Sequence, residues 1–154
     1  MPLRIEIPGR VTLELDYLLL DQNGTLSREG ELLAGVSEGL DALRETLSIH
    51  ILSADTFGTL GQIASELQID ARRVASGAEK RAFADQLGGH RCAAIGNGAN
   101  DVAMFEGCAL SIAIVGPEGA SSSAVAAADV VCGSIVDALE LLLDTRLLSA
   151  TLRT

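Results

Sequence analysis

The run from Asp21 to Thr25, written DQNGT, holds the residues with the clearest chemical potential. Its carboxylate directly follows an apolar stretch, Tyr17 to Leu20, and a glycine stands three residues later. An aspartate at the carboxyl end of a strand, beside the free amides of a glycine turn, is placed to attack or hold a phosphoryl group. Position 23 is an asparagine, where a second carboxylate would be expected.

Further polar residues and glycines follow the other apolar runs. In an open α/β sheet, ligands bind outside the carboxyl ends of the strands, so these residues are expected to share one crevice. They are Asp21, Gln22, Asn23, Gly24 and Thr25, then Ser53 and Asp55, then Gly96, Asn97, Gly98, Asn100 and Asp101. Lys80, near the start of a helical stretch, adds a cation. This inventory matches phosphoryl transfer, which depends mainly on positioning and on neutralising charge.

Each of these residues also has an ordinary structural interpretation. An aspartate after a strand is commonly a helix cap or a turn residue. A Gly-Asn-Gly sequence is a common turn, and an isolated lysine is normally solvated at the surface. The prediction of a site therefore depends on the order of the residues and on their common position at strand ends.

Short apolar runs alternate with helical patterns along the chain. Four runs end at Asp21, Ser53, Gly96 and Val115, and each is short enough to be a strand buried on both faces. A fifth run extends from Val130 to Cys132. The helical patterns between and after them begin near Val36, Leu60, Ala82, Val102 and Ser134. Repeated strand and helix predict an α/β fold with a doubly wound, Rossmann-like, mostly parallel sheet flanked by helices.

The first residues predict a β-hairpin. Leu3 to Ile7 and Val11 to Leu15 alternate apolar and polar residues around a Pro-Gly turn, and we expect this ribbon to lead into the edge of the sheet. A length of 154 residues predicts one domain. Within it we expect a hairpin extension over residues 1–16, a core over 17–145 and a C-terminal tail over 146–154.

Composition and charge restrict the partners. The formal net charge of -10 opposes binding to DNA, RNA or an anionic bilayer, so we expect neither a nucleic-acid nor a membrane partner. Aromatic residues make up only 3% of the chain, so the core must be aliphatic. The first ten residues lack the apolar segment of a signal peptide, and no run reaches the ~18 apolar residues of a membrane span. We therefore expect a cytoplasmic protein.

Four segments resemble the motifs of the haloacid dehalogenase-like (HAD) phosphotransferase superfamily. They are DQNGTLS (21–27), ILSAD (51–55), the lysine at position 80 and GNGANDVAMF (96–105). They look closest to the soluble relatives of the P-type ATPase phosphorylation domain, which carries DKTGT, TGD, a lysine and GDGxND in this order. The resemblance extends from Leu18 to about Cys132.

The resemblance implies a role for each matching residue. Asp21 would be the nucleophile that forms an aspartyl-phosphate, and Mg²⁺ would be the cofactor. The phosphoryl oxygens would be held by Gln22, Gly24, Ser53, Ala54 and Lys80, through backbone amides, the hydroxyl and the ammonium. The metal would be held by Asp21, the Asn23 carbonyl, Asn97 and Asp101. Supporting roles would fall to Thr25, Asp55, Gly96, Gly98 and Asn100.

Two asparagines depart from the family pattern. HAD phosphatases have an aspartate two residues after the nucleophile as general acid and base, and Asn23 cannot transfer a proton. Loss of such a group costs on the order of 10² to 10⁴ in rate, so the resemblance implies slow phosphatase turnover. Asn97 stands where the family usually places a metal-binding aspartate, which should weaken Mg²⁺ binding without abolishing it.

The spacing between the motifs leaves no room for an inserted cap domain, so the site should be open. Members without a cap act on large substrates or cover the site with another subunit. A phosphorylated small molecule or a phosphoprotein is therefore the expected partner, and a homo-oligomer is expected. A non-catalytic scaffold that binds a phospho-ligand or a partner protein is the alternative. A receiver-type signalling domain is disfavoured by motif order, because receivers place the nucleophile after the third strand.

Overall fold

The computed structural model describes all 154 residues and contains ten strands and seven helices. The strands are β1 (Leu3–Ile5), β2 (Leu13–Leu15), β3 (Tyr17–Leu20), β4 (Ser27–Arg28), β5 (Glu31–Leu32), β6 (Ser48–Ser53), β7 (Asp70–Arg73), β8 (Cys92–Gly96), β9 (Leu110–Ile114) and β10 (Val130–Cys132). The helices are α1 (Val36–Leu43), α2 (Leu60–Leu67), α3 (Gly77–Leu87), α4 (Val102–Gly107), α5 (Ser122–Ala127), α6 (Ile135–Leu143) and α7 (Thr145–Leu152).

Six parallel strands form the central sheet, in the order β10-β9-β8-β3-β6-β7. Strand β3 lies between β6 and β8, and Leu20 is paired with Ile51 on one side and Ile95 on the other. The three strands therefore end at the same edge of the sheet, with Asp21 and Ser53 close together. This topology confirms the predicted doubly wound α/β fold.

Helices cover both faces of the sheet, which explains why the central strands are apolar throughout. Leu18 and Leu20 pack into a large aliphatic core with α1, α2, α6 and α7. Leu19, on the opposite face, packs into a smaller cluster with side chains of α3, α4 and α5. Strand β3 is thereby fixed from both sides directly before the residues of the predicted site.

The structure differs from the predicted strand arrangement in three details. It has a sixth strand, β7, whose four residues are all exposed at the edge, so the strand carries no apolar run. The N-terminal hairpin of β1 and β2 is present, but it forms a separate two-stranded sheet and does not extend the edge of the central one. A second small hairpin, β4 and β5, follows the DQNGT run and was not predicted.

The C-terminal third of the chain consists mainly of helices and strands. Ser134 caps α6 by accepting a hydrogen bond from the Asp137 amide at 3.1 Å. Residues 146–154 contain most of α7, which buries Leu148 and Leu152 in the large core.

No helix of the protein combines the length and the apolar character that crossing a membrane requires.

Candidate active site

The DQNGT run forms a tight loop at the carboxyl end of β3. The Asp21 amide donates to the Ile95 carbonyl at 3.0 Å, which continues the pairing with β8 by one residue. The Gln22 carbonyl then accepts amide hydrogen bonds from Thr25, Leu26 and Ser27. The loop requires glycine at position 24, because its φ is +81° and a Cβ there would lie 2.4 Å from the side-chain nitrogen of Asn97.

Lys80 joins two carboxylates in the interior of the site. Its Nζ donates to Asp21 Oδ1 at 2.7 Å and to Asp101 Oδ1 at 2.8 Å. Lys80 and Asp101 are fully buried, and only 8% of Asp21 is exposed. Helix α3 positions the lysine in its first turn, and Ser76 caps this helix through the Glu79 amide. Asp21, Lys80 and Asp101 form what we call the charged cluster.

Burial and neighbouring charge set the protonation of the charged cluster. Burial, together with the negative charge of Asp101, raises the pKa of Asp21 to about 6, although Lys80 opposes the shift. For Lys80, burial favours the neutral amine, but the two carboxylates outweigh it and raise the pKa above the usual lysine value. At neutral pH the cluster therefore holds an ionised Asp21, suited to act as a nucleophile, beside a protonated lysine.

Backbone amides fix the second oxygen of Asp101. The amides of Asn97 and Gly98 both donate to Asp101 Oδ2 at 3.0 Å. Gly96 allows this close approach, since a Cβ there would lie 2.3 Å from the same oxygen. Asp101 therefore presents its other oxygen, Oδ1, to Lys80.

Neutral groups occupy the opposite side of the loop. Ser53 Oγ donates to Gln22 Oε1 at 2.8 Å, and Gln22 Nε2 donates to Thr59 Oγ1 at 3.0 Å. Ser53 Oγ also accepts from the Asp55 amide at 2.9 Å, while the Asp55 carboxylate accepts from the Leu60 amide at the start of α2. We call Gln22, Ser53 and Thr59 the neutral arm. Sequence analysis considered only the backbone of Gln22 and missed Thr59.

Three backbone amides at the site are free to bind a ligand. The N–H groups of Gln22, Asn23 and Ala54 donate to no acceptor within the protein. Gly24 was expected to contribute its amide, but this N–H donates to the Ser27 carbonyl at 2.8 Å. The free donors are therefore at positions 22, 23 and 54. Free N–H groups beside a buried ammonium suit the oxygens of a phosphoryl group.

Both unusual asparagines have partners within the protein. Asn23 Oδ1 accepts from Ser27 Oγ at 3.2 Å. Asn97 Nδ2 donates to the Gly119 carbonyl at 3.1 Å, so that its amide holds the loop that follows β9. Thr25 Oγ1 lies between Asp21 Oδ2, at 3.3 Å, and Asn97 Oδ1, at 3.4 Å. An aspartate at position 97 could not form this bond to the Gly119 carbonyl, because a carboxylate has no N–H to donate.

The remaining predicted residues lie at the rim. The side chains of Ala54 and Asn100 are exposed and do not join the charged cluster. Five cavities of the protein are lined by other residues, and one of them, of about 690 Å³, lies beside the N-terminal hairpin. The charged cluster is therefore bordered by exposed residues.

The oxygen atoms of the site fit the chemistry of a magnesium ion. Two carboxylates, from Asp21 and Asp101, meet at Lys80, and the Asn97 amide oxygen is connected to Asp21 through Thr25 Oγ1. No group of three or more His, Cys, Asp or Glu side chains is arranged to hold a metal. Magnesium prefers oxygen ligands, commonly takes only one or two carboxylates and keeps several waters, so this donor set suits it.

Comparison with known sequences identifies related proteins. Residues 75–138 match the family profile described as haloacid dehalogenase-like hydrolase. The uncharacterized protein MJ0073 of Methanocaldococcus jannaschii is 45% identical over 60 residues, which cover 39% of this chain and 64% of that protein. A second uncharacterized protein of the same organism, MJ0072, is 51% identical over 39 residues, 25% of this chain and 89% of that protein. The chain thus matches less than two thirds of the length of MJ0073.

Solved structures show the same fold. The 3-deoxy-D-manno-octulosonate 8-phosphate phosphatase of Moraxella catarrhalis, in complex with magnesium, phosphate and KDO, has a TM-score of 0.70 and 19% identity, covering 84% of this chain and 86% of that one. A phospho-aspartyl intermediate analogue of phosphoserine phosphatase has a TM-score of 0.65 and 16% identity, covering 82% of this chain and 98% of that one. A zinc-transporting PIB-type ATPase in the E2P state has a TM-score of 0.66 and 22% identity, covering 79% of this chain and 20% of that one. At these identities the likeness concerns the fold alone.

Proposed function

Because this chain belongs to the haloacid dehalogenase-like superfamily, we propose that it is a Mg²⁺-dependent hydrolase or phosphotransferase that forms an aspartyl-phosphate at Asp21. The observation that carries the proposal is the charged cluster, in which one fully buried lysine joins two carboxylates at 2.7 and 2.8 Å. A buried lysine is rare without a functional or pairing reason, and clusters with shifted pKa values are typical of active sites.

The first step is attack of an Asp21 carboxylate oxygen on phosphorus. A new P–O bond forms to Asp21 while the bond to the leaving oxygen breaks, and the leaving group departs with the electron pair. Solvent water must protonate that group, because Asn23 has no transferable proton. Lys80, the Ser53 hydroxyl and the free amides at positions 22, 23 and 54 neutralise and orient the phosphoryl oxygens.

The second step is hydrolysis of the aspartyl-phosphate. Water attacks phosphorus, the bond to Asp21 breaks, and phosphate leaves with Asp21 regenerated as a carboxylate. Asn23 cannot accept the proton of this water, so turnover is slow. Mg²⁺, held by Asp21, Asp101, Asn97 and the Asn23 carbonyl, supplies charge neutralisation for the phosphoryl group when bound.

Covalent labelling tests the proposal. Incubation with Mg²⁺ and acetyl phosphate, or with beryllofluoride, should give a stoichiometric adduct on Asp21, detected by intact mass or by ¹⁹F NMR. The Asp21→Asn variant should give none, whereas Asp85→Asn, at an exposed position on α3, should be labelled like the wild type. Asn23→Asp should release phosphate at least tenfold faster. A wild type that no donor labels would contradict the proposal.

A non-catalytic scaffold is the second candidate. It is favoured by the hydrogen bonds that engage the side chains of Asn23 and Asn97 with Ser27 and Gly119. Such a scaffold would bind a phosphorylated ligand or a partner protein. Phosphate binding that is independent of Mg²⁺, without any adduct on Asp21, would support this candidate over the enzyme.

The surface around the site bears on the substrate. Exposed residues border the charged cluster, so a phosphorylated small molecule or a phosphoprotein can approach it. We propose a homo-oligomer, in which a neighbouring subunit covers the site, in the cytoplasm. Sedimentation velocity with and without a phosphate analogue tests the assembly, and a single monomeric species under both conditions would contradict it.

A further inference from the structure

The Ser53 hydroxyl already donates its proton to a group of the protein. Ser53 Oγ accepts a hydrogen bond from the Asp55 amide at 2.9 Å and donates its one proton to Gln22 Oε1 at 2.8 Å. The proposed function needs this proton for a phosphoryl oxygen. A hydroxyl carries one proton, so Ser53 cannot donate to Gln22 and to the phosphoryl group at once.

The Gln22 side chain lies between two hydroxyls. It is fully buried, with its amide oxygen on Ser53 and its amide nitrogen 3.0 Å from Thr59 Oγ1. A hydroxyl can either donate or accept a hydrogen bond. A carboxamide flanked by two hydroxyls therefore keeps both hydrogen bonds in either of the two orientations related by a half-turn of the amide.

The two orientations of the amide differ in the hydrogen bonds that Ser53 makes. With the amide reversed, Gln22 Nε2 donates to Ser53 and Gln22 Oε1 accepts from Thr59. Ser53 then accepts two N–H bonds, from Gln22 and Asp55, and its own proton is free. The hydroxyl thus changes from a donor to the protein into a donor to a ligand, with no hydrogen bond lost.

We propose that Gln22 is a positioning residue whose side-chain amide, together with Thr59, switches Ser53 into a donor when a phosphoryl group arrives. The proposal rests on the proposed function, because it assumes that Ser53 binds the transferred group. Gln22 does not touch the reacting atoms through its side chain, and it acts only through Ser53. Burial supports the switch, because water does not compete for the amide.

A double-mutant cycle tests the connection to Ser53. Gln22→Met leaves the Ser53 proton free from the start, so it should strengthen beryllofluoride binding in the presence of Mg²⁺, whereas Ser53→Ala should weaken it about tenfold, the equivalent of one hydrogen bond of about 1.4 kcal/mol. In a Ser53→Ala background the same change should have no further effect, since the proton to be released is gone. Gln86→Met, at an exposed position on α3, is the matched control and should leave binding unchanged.

Thr59 provides a second set of variants at a half-buried position, which keeps the test open if Gln22→Met does not fold. Thr59→Val removes the donor that Gln22 Oε1 needs in the reversed orientation, so it should weaken binding, and Thr59→Ser, which keeps the hydroxyl, should restore it. If the Thr59 side chain had a purely structural role, restoring its hydroxyl would not restore binding in a way that depends on Ser53.

Side-chain amide NMR observes the switch directly. The chain has four glutamines, so selective ¹⁵N labelling gives few side-chain amide signals, and Gln22→Met assigns the relevant pair. These signals should shift when the beryllofluoride adduct forms. If the adduct forms while the Gln22 signals stay unchanged and the two mutations act additively, the switch is wrong but the nucleophile stands. If no adduct forms, both proposals fail.

Discussion

The charged cluster and the neutral arm lie on opposite sides of one loop, and they differ in how they are held. Asp21, Lys80 and Asp101 place two negative charges and one positive charge almost entirely out of contact with water, with only Asp21 slightly exposed. Gln22, Ser53 and Thr59 are joined by hydrogen bonds between uncharged groups only. The molecule thus confines its buried charge to the side where bonds would be made and broken. Positioning on the other side relies on groups that are insensitive to pH.

Removing the lysine should break the charged cluster most severely. Lys80→Met leaves two buried carboxylates without a counter-ion, and we expect a loss of about 3–5 kcal/mol in the free energy of unfolding at pH 7. Urea denaturation measures the change. Arg81→Met, which removes a partly exposed ion pair with Asp85 on the same helix, should cost at most about 1 kcal/mol. Equal losses in the two variants would show that the cluster is not desolvated as the structure indicates.

Neutralising the nucleophile should instead increase the free energy of unfolding. The folded state raises the pKa of Asp21 from 3.8 to about 6, so the wild type loses stability as pH rises through this interval. Without metal, Asp21→Asn should therefore be more stable than the wild type by about 3 kcal/mol at pH 7, at ~1.4 kcal/mol per pKa unit, and about equal to it below pH 4. Thermal or urea unfolding across pH 4–7 tests the trend. A difference independent of pH would contradict it.

Changing the amide of Asn97 should uncouple metal binding from loop attachment. Asn97→Asp adds a carboxylate to the metal donor set, so Mg²⁺ should bind more tightly. Without metal, the variant should lose about 1–3 kcal/mol, because the Gly119 carbonyl loses its N–H partner and faces a negative charge. Titration calorimetry and unfolding measure the two effects. Asn100→Asp, at the exposed rim, should change the stability little.

The smallest effect is expected in the neutral arm. Thr59→Val removes one half-buried hydrogen bond to Gln22 and should cost about 1 kcal/mol. Because no charged group is involved, this cost should be the same from pH 4 to pH 7, and Thr59→Ser should show almost none. A cost that changes with pH would mean that the neutral arm and the charged cluster are energetically coupled.

Sequence reasoning succeeded where burial dictates the residue type. Strands β3, β6, β8 and β9 could be predicted because both of their faces are covered, which leaves continuous apolar runs. Strand β7 could not, because an exposed edge strand of sequence DARR has no such pattern. The hairpin of β4 and β5 has two residues per strand, too few for any periodicity.

The candidate site could be predicted as far as strand ends determine it. The order of motifs placed Asp21 and Ser53 side by side, and the structure brings Lys80 and Asp101 to the same point. The contact between Gln22 and Thr59 could not be predicted, since it depends on the path of the loop before α2. The same applies to the bond from Asn97 to Gly119, which joins loops 22 residues apart.

The charged cluster also has an implication for the history of the chain. A change of Asp21 to asparagine would remove the buried negative charge and make the metal-free fold more stable. A lineage under selection for the fold alone would have an easy route to that change, because proteins sit only slightly above the stability they need. The carboxylate at position 21 is therefore a feature that selection for stability alone would not favour, and this argues for selection acting on its chemistry.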